Sequence, residues 1–81
     1  MEAVLIKALY QSLVSHFHTQ PLGVAGRLIY YDEEVNAFIL GIHTTGAEKT
    51  HQVAEKVWQG LPNKLKESLA EAGIGFAIKQ I

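Results

Sequence analysis

Gly26-Arg27-Leu28-Ile29-Tyr30-Tyr31, then Asp32-Glu33-Glu34-Val35-Asn36, then Ala37-Phe38-Ile39-Leu40-Gly41-Ile42-His43 is the stretch that decides the fold. Two runs rich in β-branched and aromatic residues enclose a polar segment of hairpin-loop length, so the stretch predicts two antiparallel strands. Side chains alternate along a strand, which puts Phe38, Leu40 and Ile42 on one face. Leu28 and Tyr30 are read as sharing that face. Gly41 lies on the other, where a missing side chain lets a neighbour come close.

Upstream, Leu5, Leu9, Leu13 and Phe17 recur at i+4, with Ile6, Tyr10 and Val14 in a second row beside them. This spacing predicts a helix from Glu2 to about His18 whose apolar stripe is wider than one packing surface needs. Glu2 in its first turn and His16 and His18 in its last suit the helix dipole, and Gln20-Pro21-Leu22-Gly23 stops it. Downstream, Thr45-Gly46-Ala47-Glu48 spells a capping box. The helix it opens carries Val53, Ala54, Val57, Trp58 and Leu61 on one stripe and ends at Gly60 or Leu61-Pro62. Asn63 is read as the cap of a third helix bearing Leu65, Leu69 and Ala72, stopped by Gly73. Ile74-Gly75-Phe76-Ala77-Ile78-Lys79 then alternates as a last strand.

The expectation is one small α+β domain spanning residues 1–81, in the order α-β-β-α-α-β. Its three-stranded, mainly antiparallel sheet has the helices packed on one face. The other face would carry Ile29, Tyr31, Ala37, Ile39 and Ala77. Such an apolar face, with the leftover helical row, makes Ile29, Tyr31, Ile39, Tyr10 and Val14 the candidate interface. A chain of 81 residues without cysteine has neither a disulfide nor a thiolate zinc site to support it. Hydrophobic residues nevertheless make up 48% of it, which favours a homo-oligomer or another protein as partner.

Seven basic and eight acidic residues give a formal net charge of −1, no electrostatic footprint for nucleic acid or an anionic membrane. Apolar runs such as Ala3 to Ile6 are far shorter than the roughly 20 residues a spanning helix needs. Without a visible targeting segment, a cytoplasmic location is the expectation. Catalysis is not expected, because no serine follows a G-x-S-x-G turn, no paired carboxylates sit in an apolar setting and no cofactor fingerprint is present. Neither a cofactor nor a metal is expected. His16, His18, His43 and His51 are weak metal candidates without ligand spacing. Asp32-Glu33-Glu34 reads as a solvated turn tip, and His43-Thr44-Thr45 as a strand end leading into a helix cap.

Two family resemblances bear on the alternatives. Gly23-Val24-Ala25-Gly26 is similar to the GxxG loop of KH-type RNA-binding domains, with Arg27 the nearby basic residue. The element order, with Lys49-Thr50-His51-Gln52-Val53 and Gly73-Ile74-Gly75-Phe76-Ala77-Ile78-Lys79, resembles BolA-type proteins over fewer than half the residues. In that family a basic residue precedes the histidine, where this chain has Thr50. The BolA resemblance implies His51 as an iron–sulfur ligand shared with a monothiol glutaredoxin. The KH resemblance implies nucleic-acid binding.

Overall fold

The computed structural model describes residues 3–18, 26–43 and 47–81. The elements follow the expected order: α1 (Ala3–His18), β1 (Gly26–Asp32), β2 (Ala37–His43), α2 (Ala47–Gly60), α3 (Asn63–Ala72) and β3 (Gly75–Gln80). β2 lies at the centre of a three-stranded, mostly antiparallel sheet. It pairs antiparallel with β1 over seven residues and parallel with β3 over six. A parallel pair cannot be joined by a tight turn, and here the crossover is the pair α2 and α3. All three helices lie on one face of the sheet. Leu9, Leu13 and Phe17 of α1, Val53 and Val57 of α2, Leu61 and Leu69 form one buried cluster with Phe38, Leu40 and Ile42. The molecule measures only 17 Å along its shortest axis, which suits two layers.

The hairpin turn is one residue shorter than the polar segment suggested. Asp32 pairs with Ala37, so only Glu33 to Asn36 turn the chain. Asp32 Oδ1 accepts the Glu34 N–H at 3.0 Å, and Asn36 takes a left-handed backbone with φ 51°. Because side chains alternate, this single residue exchanges the two faces of β1. Tyr31 stands beside Phe38 and Ile29 beside Leu40. Ile29 and Tyr31, expected on the open face, therefore pack against the helix-covered core, and Leu28 and Tyr30 take the open face instead. Tyr31 meets Phe38 edge-on, with centroids 5.3 Å apart.

At the far end, α3 closes on Gly73 with φ 70°. Its N–H reaches Ala70 O at 3.1 Å, and the Ile74 N–H reaches Leu69 O at 3.0 Å. This is a Schellman closure, sealed by the buried pair Leu69 and Ile74. The start of α3 differs from expectation. Asn63 is already helical, so its side chain does not cap. Pro62 holds the N-cap position, where its carbonyl accepts from the N–H groups of Leu65 and Lys66. The Gln20–Gly23 stop, the first three residues of the GxxG spelling and the Thr45 cap lie outside the described residues.

Candidate interaction surface

The sheet takes only part of α1's stripe. Leu9, Leu13 and Phe17 are buried and Ile6 packs against them, whereas Tyr10 and Val14 each keep 38% of their surface exposed. Two rows of apolar residues subtend more of a helix than one sheet surface can cover. Val14 faces β1 across a hollow of about 180 Å³ that it lines with Phe17, His18, Arg27, Leu28, Ile29 and Leu40. The Arg27 guanidinium donates to the His18 carbonyl at 3.3 Å, tying the end of α1 to β1. Leu28 is 55% exposed. Tyr10 and Val14 thus put apolar surface of α1 into solvent, and Leu28 does the same on the opposite face of the sheet.

The open sheet face is less available than its composition implied. Ile39, between Tyr30 and Ala77, is 1% exposed, and Ala37 is buried as well. Ile81 donates its N–H to Ile42 O at 2.9 Å and lays its side chain over Gly41. A Cβ at Gly41 would stand 2.8 Å from Ile81 Cγ2, so the expected close neighbour is this side chain. Ile39 accordingly has almost no surface to offer a partner here.

A second apolar feature lies on the β3 side. Trp58 is 47% exposed, tilts over Phe76 at 6.3 Å, and has the Lys66 ammonium 5.3 Å above its ring. With Leu69, Ala70 and Ile74 these residues border an open cleft of about 420 Å³. Its walls are mostly apolar, and its charged members, Lys66 and Glu67, both come from α3. The cleft suits an apolar side chain.

The histidines do not converge. His16 meets Phe17 edge-on at 5.0 Å, and His18 and His43 are exposed at the ends of α1 and β2. The exposed His51 lies 3.3 Å from Glu55 one turn along α2. Among the described residues, no group of three or more His, Cys, Asp or Glu side chains could hold a metal ion. Glu33 and Glu34 are exposed on the turn. The Ser12 and Ser68 hydroxyls donate to carbonyls four residues back, at 3.1 and 2.9 Å. No described helix is long and apolar enough to cross a membrane.

The residue that sequence reasoning missed is Asn36. Its Oδ1 accepts the Tyr31 hydroxyl, its Nδ2 donates to Gly73 O at 3.1 Å, and its carbonyl accepts the Gly75 N–H at 3.0 Å. It joins the hairpin to the end of α3 and the start of β3. The signal was an asparagine closing a turn, the residue type after glycine that best tolerates positive φ.

Comparison with protein-family models, curated proteins and solved structures returns no match for this chain.

Proposed function

We propose that this domain is a non-catalytic interaction module whose first partner is a second copy of itself. The observation that carries the reading is the exposed apolar pair Tyr10 and Val14 on α1, surplus to the row that the sheet buries, in a chain with a formal net charge of only −1. Apolar surface left outside a small domain favours association, and a charge near zero opposes it little. The iron–sulfur alternative through His51 has less behind it, because that imidazole stands apart from the other histidines and opposite a glutamate. KH-like nucleic-acid binding has the near-neutral charge against it.

Sedimentation velocity on the chain and on His51→Ala, across a range of concentrations and without added metal, tests the reading. Both proteins should shift together from one chain mass to two as concentration rises. A chain that stays at one mass throughout refutes self-association. A shift that His51→Ala abolishes moves the function to the histidine.

A further inference from the structure

Trp58 and Phe76 are the aromatic walls of the cleft on the β3 side, and Leu69, Ala70 and Ile74 complete its apolar lining. The two rings are inclined by 31° with centroids 6.3 Å apart, so they do not close on each other, and Trp58 stays 47% exposed. The volume of about 420 Å³ lies in the range of small-molecule sites, about 300–1,000 Å³. Gly75 at the cleft pairs with Ala37, whereas Gly26 pairs with His43 at the opposite end of β2. The chain entering β1 and the chain leaving β2 therefore meet the sheet about 20 Å from the cleft, at roughly 3.3 Å per strand residue.

The rim carries one charge of each sign, on consecutive residues of α3. The half-buried Lys66 holds its ammonium 5.3 Å over the Trp58 ring, within cation–π range, and Glu67 is exposed beside it. Among the described residues the ion pair is His51 with Glu55, and neither Lys66 nor Glu67 has one. The ring thus fixes where the cation stands without neutralising it.

An apolar cleft with a cation and an anion side by side complements an apolar body that carries both charges on one carbon. A simple carboxylate would meet Glu67 with like charge, and a simple amine would meet Lys66 in the same way. The aromatic walls favour a planar side chain, because rings gain from tilted and offset contacts at centroid separations of about 4.5–7 Å.

We infer that this cleft binds a free apolar α-amino acid, aromatic ones best. The side chain lies against Trp58 and Phe76, the carboxylate faces Lys66 and the ammonium faces Glu67. No described residue of α1 lines the cleft, so the inference stands apart from self-association through Tyr10 and Val14.

Trp58 is the only tryptophan and reports the site directly, since phenylalanine does not absorb where tryptophan is selectively excited. At a fixed low chain concentration, titration with L-phenylalanine should saturably shift the emission to the blue and slow quenching by acrylamide. 3-Phenylpropionate lacks the ammonium and phenethylamine lacks the carboxylate. Each should bind about fivefold more weakly, which is what a good exposed ion pair supplies. Lys66→Met, which keeps a stem on the indole, should lower phenylalanine to the level of phenethylamine, and Glu67→Gln should lower it to that of 3-phenylpropionate. The ligand series on the unaltered chain carries the test if a variant loses its helical circular dichroism. If phenylalanine leaves Trp58 unchanged up to its solubility, the inference is wrong. Equal binding of the three ligands would mean that the cleft reads the ring alone, which overturns the charge assignment. N-acetyl-phenylalanine amide has the side chain with neither charge. If it binds as tightly as phenylalanine, the cleft belongs to a residue of a partner protein, and the free amino acid is ruled out.

Discussion

Asn36 is the residue through which the hairpin and the last strand depend on each other. It supplies a positive φ, two side-chain hydrogen bonds and the carbonyl that starts β3. These contributions separate by substitution. Glycine adopts the left-handed backbone freely but makes no side-chain bond, while alanine loses the bonds and adds the steric cost of the conformation. That cost is about 1–2 kcal/mol for an ordinary L-residue, and each net hydrogen bond contributes roughly 1 kcal/mol. Urea unfolding should therefore find both variants destabilised, with Asn36→Ala below Asn36→Gly by about 1 kcal/mol. Equal losses would mean that the turn relaxes and the backbone conformation is not enforced. None of these tertiary roles was legible at this position, because Tyr31 and Gly73 meet it only after the hairpin and the crossover have formed.

At the scale of elements, the helix ends and the strand phases behave differently. Gly73 was legible as a stop, and its φ of 70° explains why. A Cβ there would meet nothing within 4 Å, so Gly73→Ala carries a conformational cost without a clash. The loss should be about 1 kcal/mol in thermal or urea unfolding, with association unchanged. A loss several times larger would mean that the α3-to-β3 junction rearranges. Helices were readable because their apolar residues recur with a definite phase, as with Leu9, Leu13 and Phe17. β1 offers no such phase, since Leu28, Ile29, Tyr30 and Tyr31 are all apolar or aromatic and either alternate pair could face the core. The turn decided it. Asp32 joined the strand, and the assignment of Ile29 and Tyr31 to the open face failed together with the loop length. Ile39 was placed on the correct face, but pattern alone could not show that its neighbours leave it 1% exposed. Tyr10 and Val14 were legible as surplus because a stripe wider than its packing surface is visible in spacing alone.

For the whole molecule, the arrangement separates two apolar features that a partner could use. Tyr10, Val14 and Leu28 attend β1, while Trp58 leans on Phe76 of β3, and β2 lies between the two edges. The separation makes Trp58 a reporter of which edge associates, because it is the only tryptophan and is 47% exposed. Association through Tyr10 and Val14 would leave its surroundings as they are in one chain. Its emission maximum and its quenching by acrylamide should then stay constant across the concentration range in which sedimentation records the change from one chain to two. An interface through the β3 edge would desolvate the indole, shifting its emission to the blue and slowing quenching as the assembly forms. Salt adds a second reading. Apolar contacts are screened far less than surface ion pairs, so moving from low to high ionic strength should leave association through Tyr10 and Val14 nearly unchanged. A steep weakening with salt would place charged residues at the contact, and Lys66 and Glu67 beside the Trp58 cleft would be the first to substitute.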